Sequence, residues 1–329
     1  MMDKTHVKIY STGKYIPPHR VSNHDLTSWM DTSDEWIVKR TGIQSRYLSR
    51  GDNTSNLCIK AAHDVLEDSH IDADEIGLII VATMSPDGQS PSVASKVQSA
   101  IQAGQAMAFD MNAACSGFVY ALSTAEKILR HAPYGYALVL GGEVMSKEID
   151  WTDRKTAVLF GDGAAGVLIG KTDEADQFIS EDLHANGDKG KALTSGNRQV
   201  DNPLVQSDKS ISYLTMDGRE IFNFVTRSIP DSIHKVLNES RTDIEDIDYF
   251  LLHQANARII EIIAKKLKRP LETFPMNIQN YGNTSAASLP ILLDELAKEK
   301  KVLNGKKQKI ILSAFGGGLT WGTLLLEIN

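Results

Sequence analysis

A lone cysteine lies where a predicted strand gives way to a helix. Residues 107–111 form a short apolar strand, the small residues of 112–117 (NAACSG) follow, and an amphipathic run begins at Phe118. The free N–H groups and positive dipole at such a helix end favour a thiolate, which is the nucleophilic form of cysteine. The pattern therefore predicts a nucleophile at Cys115, and its plainer alternative is an inert core cysteine.

Three other segments place polar groups or bare backbone at the ends of strands. His253 directly follows a buried strand that ends at Leu252, and Asn283 precedes a helix predicted over 286–296. The glycines 316–318 follow a strand predicted over 309–314 and can direct N–H groups at an oxyanion. A buried histidine, a capping asparagine and a glycine turn are the separate alternatives. Together with Cys115 they predict one nucleophilic site at strand ends.

An internal repeat predicts how these segments meet. The acidic turn and buried strand at 71–81 return at 242–252, an offset of 247 − 76 = 171, and Val139 aligns with Ile311 at 172. Residues 112–117 align with 280–285 at an offset of 168. The repeat predicts a duplicated α/β domain, with residues 1–172 carrying the cysteine and 173–329 carrying the histidine and asparagine. Chance similarity between two α/β halves is the alternative.

The remaining elements follow from periodicity and turn residues. Strands are predicted at 6–12, 76–82, 137–140 and 158–169, the last interrupted by glycines, and helices at 54–69 and from 92. A capping box at 32–35 opens a helix that carries Trp36 and Arg40 on one face. The polar stretch 171–212 is predicted to join the halves.

Composition excludes several classes of protein. The chain has 329 residues, 42% of them hydrophobic, a net charge of −7 and two cysteines, Cys58 and Cys115. We therefore expect neither a disulfide framework nor a metal site, and no nucleic-acid partner. The opening residues Met1 to His6 hold no apolar signal, and no apolar run reaches membrane-spanning length. A cytoplasmic protein without a membrane partner is expected.

Motifs along nearly the whole chain resemble the β-ketoacyl-[acyl-carrier-protein] synthase III family of the thiolase superfamily. They are DEWIVKRTGI at 34–43, NAACSG at 112–117, FGDGA at 160–164, HQAN at 253–256, YGNTS at 281–285 and AFGGGLTWG at 314–322. The resemblance implies the α/β duplicated thiolase-like five-layered αβαβα fold of that family, which agrees with the repeat.

The resemblance also implies a catalytic triad of Cys115, His253 and Asn283. A primer acyl-CoA would acylate Cys115, while the N–H groups of Cys115 and Gly317 hold the oxyanion. His253 and Asn283 would then stabilise the enolate formed when malonyl-acyl-carrier protein loses carbon dioxide, and this carbanion would attack the acyl-cysteine. Acyl-CoA and acyl carrier protein are thus the expected partners, a homodimer the expected assembly, and no cofactor is required.

Binding residues follow from the same resemblance. Trp36, Arg40 and Arg154 match contacts of the CoA adenine, and Asn256 matches a residue near the pantetheine arm. The basic side chains on the helix after His253 suit an acidic carrier protein, with an ordinary solvated helix face as the alternative. These docking candidates are Arg258, Lys265 and Lys266.

Two positions depart from the family pattern. Asn223 stands where a docking lysine is common, which shifts the expected carrier contact to Arg219. Ser90 stands where many relatives carry a bulky residue that closes the acyl pocket of the partner subunit. The smaller side chain predicts that primers longer or more branched than acetyl are accepted.

Other classes of protein remain open. Papain-like peptidases share the order Cys, His, Asn, but their cysteine signature is missing here. A CoA-primed condensing enzyme of polyketide or quinolone synthesis would use the same triad with another starter or extender. A catalytically silent carrier-protein or CoA-binding module is the third alternative, and the intact triad disfavours it.

Overall fold

The computed structural model describes residues 5–207 and 212–329; Met1 to Lys4, part of the expected signal-free opening, and 208–211, part of the predicted join, lie outside the described residues. Strands occupy β1 (His6–Tyr15), β2 (Arg20–Ser22), β3 (Ser45–Tyr47), β4 (Ile76–Ala82), β5 (Met107–Met111), β6 (Tyr136–Glu143), β7 (Gly163–Thr172), β8 (Phe178–Ala185), β9 (Leu193–Thr194), β10 (Thr215–Met216), β11 (Tyr249–Leu252), β12 (Gln308–Gly316) and β13 (Thr320–Ile328).

Helices alternate with these strands. They are α1 (Asn23–Leu26), α2 (Asp34–Thr41), α3 (Thr54–Ser69), α4 (Val93–Ala100), α5 (Gly117–His131), α6 (Arg154–Ala157), α7 (Gly218–Ser240), α8 (Ala257–Leu267), α9 (Ile278–Tyr281) and α10 (Ser288–Lys298). Short 3₁₀ segments precede several of them, notably Ala114–Ser116 before α5 and Ser285–Ala287 before α10. Within the described ranges, every helix is too short or too polar to span a bilayer.

Two central sheets repeat one strand order. The first runs β1-β7-β6-β4-β5, with β4 parallel to β5 and β6, and with β7 antiparallel to β6 and β1. The second runs β8-β13-β12-β11, with β11 parallel to β12 and the rest antiparallel. Strand β4 (IGLIIVA) is buried at every position because it has sheet neighbours on both sides and helices on both faces.

Packing of helices on these sheets gives five layers. Helices α5 and α10 lie between the two sheets and share one apolar core with both of them. Helices α3 and α4 cover the outer face of the first sheet, and α7 and α8 cover the outer face of the second. The amphipathic face predicted for α5 points into the core between the sheets, and the apolar side of α8 packs on the second sheet. The layering is αβαβα, as the resemblance implied.

The duplication is real, but two predicted alignments are wrong. Val139 corresponds to Leu312 and not to Ile311, because it pairs with Ile80 as Leu312 pairs with Leu251. The 3₁₀ segments Ala114–Ser116 and Ser285–Ala287 begin 285 − 114 = 171 positions apart, and α5 and α10 begin at the same offset. Asn283 is therefore the counterpart of Asn112, and Cys115 is the counterpart of Ala286. The offset of 168 matched chemical groups, whereas the backbones repeat at 171.

Three local predictions also differ from the structure. No strand covers residues 158–162; β7 begins at Gly163, after the short helix α6. The predicted polar join contains β8, the edge strand of the second sheet. Ser33 caps the start of α2 by accepting from the Trp36 N–H, without the reciprocal bond of a capping box, so the box predicted at 32–35 is wrong.

Candidate active site

Cys115 lies in the 3₁₀ turn between β5 and α5, and it is buried. Asn112 starts this turn by accepting the Ala114 N–H on its side-chain oxygen at 3.1 Å, and Ala114 takes a left-handed conformation with φ of 47°. Burial, together with the nearby charge of Glu143, raises the pKa of the Cys115 thiol to about 12. The resting sulfur is thus a thiol, because burial outweighs the helix end that favoured a thiolate.

His253 follows β11 and is buried on all sides. Its backbone N–H donates to the Ser313 carbonyl at 2.9 Å. Its ring contacts Phe315 edge-on, and its Nδ1 lies 2.6 Å from the Ser288 hydroxyl. Burial lowers the pKa of His253 to about 3, so the imidazole is neutral. When Nδ1 accepts from Ser288, Nε2 carries the proton and can donate to a substrate.

Asn283 begins the second turn of the same kind. Its side-chain oxygen accepts the Ser285 N–H at 2.8 Å, and Ser285 has a φ of 49°. The Asn283 backbone is fixed as well, donating to Leu159 at 2.8 Å and accepting from Gly161 at 3.1 Å. With Oδ1 occupied, the Asn283 Nδ2 group is the part that can donate to a substrate.

Residues 283–288 link the three triad positions. Asn283 starts the segment, the Ser285 side chain lowers the pKa of the Cys115 thiol by hydrogen bonding, and Ser288 hydrogen-bonds to His253. Both serines are buried. One turn of the second copy thus contacts the cysteine of the first copy and the histidine of its own.

Glycines let the β12–β13 turn approach the backbone of Cys115. A Cβ at Gly316 would lie 2.6 Å from the Cys115 nitrogen and 3.1 Å from the Ser116 nitrogen, so a side chain there would collide with the turn. Gly317, the second predicted oxyanion donor, follows on the same side, and a Cβ there would lie 3.5 Å from the Ala114 Cβ. This close approach suits a site that presents N–H groups to an oxyanion.

A buried carboxyl group that the sequence did not single out stands beside the cysteine. Glu143 ends β6, has no exposed surface and accepts hydrogen bonds from five groups. The donors are the Thr83 hydroxyl, the N–H groups of Met84 and Ser85, and the hydroxyls of Ser85 and Ser285. Burial raises the pKa of Glu143 to about 7, against the effect of these donors. In the sequence, the position of Glu143 at the end of a predicted strand was the feature that could have identified it.

The three residues predicted to contact adenine lie together, Trp36 and Arg40 on α2 and Arg154 on α6. The guanidinium carbons of Arg40 and Arg154 each lie 5.2 Å from the centre of the Trp36 ring. Arg154 also donates to the Asp31 carbonyl at 2.9 Å. A half-buried aromatic ring flanked by two cations suits a flat base that carries phosphates.

Positive charge continues beside Arg40. A cavity of about 260 Å³ is lined by Arg40, Arg219 and Arg258, together with Asn256. Asn256 caps α8 through the Arg258 N–H at 2.9 Å and donates to the Arg40 carbonyl at 3.0 Å, so its side chain holds the cavity wall in place.

The other docking and gate positions lie at the surface. Lys265 is exposed, and Lys266 is exposed but donates from Nζ to the Thr226 carbonyl at 2.7 Å. Asn223 lies on α7, one turn after Arg219. Ser90 is exposed in the loop that precedes α4.

Comparisons with known proteins agree with this geometry. Two family models match, "3-Oxoacyl-[acyl-carrier-protein (ACP)] synthase III" over residues 109–187 and its "C terminal" model over residues 237–328. A β-ketoacyl-[acyl-carrier-protein] synthase III of Streptococcus uberis is 50% identical over 324 residues, covering 98% of this chain and 100% of the relative. The chain belongs to the 3-oxoacyl-[acyl-carrier-protein] synthase III family. A second relative with the same name, from Enterococcus faecalis, is 50% identical over 326 residues, covering 99% and 100%.

Solved structures of the synthase III family share the fold. The Aquifex aeolicus enzyme superposes with a TM-score of 0.90 at 39% identity, covering 98% of this chain and 99% of that one. The Thermus thermophilus enzyme gives 0.89 at 37% identity, with the same coverage. A priming β-ketosynthase of the R1128 polyketide pathway gives 0.90 at 28% identity, covering 100% and 98%. These matches confirm the thiolase-like fold.

Proposed function

We propose that this protein joins a primer acyl group from acyl-CoA to malonyl-acyl-carrier protein, giving 3-oxoacyl-acyl-carrier protein, CoA and carbon dioxide. This is the condensation that starts fatty acid synthesis. The observation that carries the proposal is the single turn 283–288, which contacts both the Cys115 thiol and His253. Relatives about 50% identical over nearly the whole chain bear the synthase III name.

In the first half-reaction, the sulfur of Cys115 attacks the thioester carbon of the primer. The tetrahedral oxyanion is held by the N–H groups of Cys115 and Gly317, and the C–S bond to CoA then breaks. The absence of a side chain at Gly316 leaves space over the Cys115 N–H. An acyl-cysteine and free CoA result.

In the second half-reaction, two neutral donors act on malonyl-acyl-carrier protein. His253 Nε2–H and Asn283 Nδ2 donate to its thioester carbonyl and stabilise the enolate left when carbon dioxide departs. The neutral imidazole suits this role because burial holds the pKa of His253 far below neutral pH. The enolate carbon attacks the acyl group, and the Cys115 sulfur leaves.

Substrate binding follows the charged path along the surface. Trp36, Arg40 and Arg154 bind the adenine and phosphates of CoA, and Asn256 lies beside the pantetheine arm. The carrier protein docks on Arg258, Lys265 and Lys266, with Arg219 in place of the lysine absent at 223. No cofactor takes part, since decarboxylation supplies the carbanion.

Assembly and location complete the proposal. Two chains associate through β5, the edge strand of the first sheet, whose Met107 is 43% exposed. In that dimer the loop of Ser90 borders the acyl pocket of the partner, and its small side chain leaves room for longer or branched primers. The composition suits a cytoplasmic enzyme.

A product assay tests the function. The protein is incubated with acetyl-, isobutyryl- or hexanoyl-CoA and either malonyl-acyl-carrier protein or malonyl-CoA. We expect 3-oxoacyl-acyl-carrier protein from all three primers, and an added acyl mass on Cys115 that Cys115→Ala abolishes. Preference for malonyl-CoA would favour a secondary-metabolic condensing enzyme instead. Strict use of acetyl-CoA would contradict the role of Ser90.

A further inference from the structure

Gln254 is a wholly buried glutamine that directly follows His253. Its side chain has no exposed surface, and an amide is costly to bury unless its polar atoms are hydrogen-bonded. In the proposed condensation no bond to the substrate involves this residue. The groups that its side chain contacts show what the buried amide does instead.

The Gln254 amide bonds to backbone groups of two different elements. Its Nε2 donates to the Leu252 carbonyl at 2.8 Å, which fixes the side chain to the end of β11. Its Oε1 accepts the N–H groups of Asn277 at 3.1 Å and Ile278 at 3.3 Å. The side chain therefore ties the end of β11 to the start of α9.

Helix α9 is a single turn that lacks a cap of its own. The first N–H groups of a helix have no partner inside the helix and must be satisfied from outside. Asn277 precedes the helix, but its side chain makes no cap bond and donates to Glu295 at 2.7 Å instead. Gln254 supplies the missing acceptor. Because α9 ends at Tyr281, two residues before Asn283, a shift of α9 would move Asn283 as well.

Gln254 also acts on the neighbouring histidine through its own backbone. The Gln254 N–H donates to the Ser288 hydroxyl at 3.4 Å, and this hydroxyl lies 2.6 Å from His253 Nδ1. A hydroxyl that accepts from an N–H keeps its single proton for another acceptor, so the Ser288 proton points at Nδ1. Nε2 then carries the ring proton, as donation to an enolate requires. One residue is thus connected to both predicted enolate donors.

We propose that Gln254 is a positioning residue that sets the spacing between His253 and Asn283. Their backbones are anchored separately, His253 to Ser313 and Asn283 to Leu159, yet both side chains must donate to one thioester oxygen. When two groups have to meet one atom, a displacement of about 1 Å can slow the reaction by about 100-fold. The inference rests on the proposed function and extends it to a residue that acts on the substrate only through the two donors.

The test compares the two half-reactions in Gln254→Met, which keeps the length of the side chain and removes its hydrogen bonds. Acylation is followed by the mass that acyl-CoA adds to the protein. Condensation is followed by product formation when the acylated protein is mixed with malonyl-acyl-carrier protein. Condensation should slow by about 100-fold, and acylation should stay within about threefold because Cys115 lies on the other turn. Equal slowing of both steps would overturn the proposal.

Gln177→Met is the matched control. Gln177 is also buried, and its Oε1 accepts the Ile9 N–H at 2.9 Å while its Nε2 donates to the Asn329 side chain at 3.0 Å. Denaturant melts should show a similar loss of stability in both variants, but only Gln254→Met should lose condensation. An equal loss of condensation in Gln177→Met would assign the effect to lowered stability and would reject the positioning role.

A double variant separates positioning from general support. In Asn283→Ala the second donor is gone, so its spacing from His253 no longer matters. Adding Gln254→Met to this background should slow condensation by no more than about threefold, against about 100-fold in the unmodified protein. If the two losses multiply in full, the residues act independently and the proposal fails.

A second substitution decides if Gln254→Met does not fold. Gln254→Glu keeps an oxygen for the N–H groups at the start of α9, but an ionised carboxylate cannot donate to the Leu252 carbonyl. Condensation should then slow by about tenfold, the size of one lost hydrogen bond, with acylation unchanged. Normal condensation by Gln254→Glu would reject the spacing role and leave the synthase function intact. No condensation by the unmodified protein would reject the proposed function itself.

Discussion

The two copies of the fold place different residue pairs at equivalent points. In one, Glu143 at the end of β6 meets Ser285 of the opposite turn. In the other, Gly316 at the end of β12 meets Ala114, whose Cβ would lie 3.1 Å from a Cβ at position 316. Glu143 and Gly316 correspond through the strand registers, and Ser285 and Ala114 through the offset of 171. The two copies share their backbone conformation and differ in the side chains at equivalent positions.

This difference shows how a duplicated frame becomes one asymmetric site. The first turn holds the Cys115 sulfur. Gly316 and Ala114 have small side chains or none, so β12 comes close to the Cys115 amide. The second turn has no sulfur, because Ala286 replaces it, but carries hydroxyls at 285 and 288 that reach Cys115 and His253. Each copy thus supplies what the other lacks.

The largest effect on stability and acylation is expected from a side chain at Gly316. Gly316→Ala puts a methyl group 2.6 Å from the Cys115 nitrogen. Overpacking should cost about 1–3 kcal/mol of stability, and displacing one oxyanion donor should slow acylation by about 100- to 1,000-fold. Denaturant melts and the acylation rate measure the two effects. Gly88→Ala, in open surroundings, is the control; normal acylation by Gly316→Ala would contradict the close approach.

The twin asparagines should separate structure from chemistry. Asn112→Ala and Asn283→Ala each remove a side-chain acceptor from a left-handed turn, at about 1 kcal/mol of stability. Only Asn283→Ala should also slow condensation on acylated enzyme, by about 100-fold, since it removes a donor to the enolate. Product formation after pre-acylation measures this. Equal losses in both variants would assign Asn283 a purely structural role.

The smallest effect is expected at Ser288, whose twin is Gly117. Ser288→Ala removes the partner of His253 Nδ1, so the ring loses the bond that leaves its Nε2 protonated. Condensation should slow by about tenfold, while acylation should stay unchanged because His253 acts only in the second half-reaction. The rates of both steps, measured on one preparation, check this prediction. An equal slowing of acylation would show that Ser288 supports the site as a whole.

Sequence periodicity predicts the helices and strands of this molecule better than the turns that connect them. Helix α3 and strands β4 and β5 begin and end where apolar patterning placed them, because they are bounded by turns and bury continuous faces. The strand predicted over residues 158–162 is wrong, since an apolar run with glycines fits a strand or a loop equally well. The 3₁₀ turns at 114 and 285 depend on tertiary contacts that periodicity does not encode.

The candidate site was predictable as far as chemistry follows strand ends. Cys115 and His253 were found in that way, and the structure brings both against one turn. Glu143 obeys the same rule but was overlooked, because a carboxylate after a strand is an ordinary surface feature until its burial is known. Glu143 and Ser285 are 142 positions apart in the sequence, and only the folded structure shows that they are in contact.

The outer strand β5 has a consequence for growth of an assembly. The first sheet has this half-exposed strand at one edge and β1 at the other, whereas the corresponding edge of the second sheet is β11, buried apart from Tyr249. Two chains that pair their β5 strands about a twofold axis use up that edge on both partners. Such a pair presents no further β5 edge to a third chain, so growth through this edge stops at two chains.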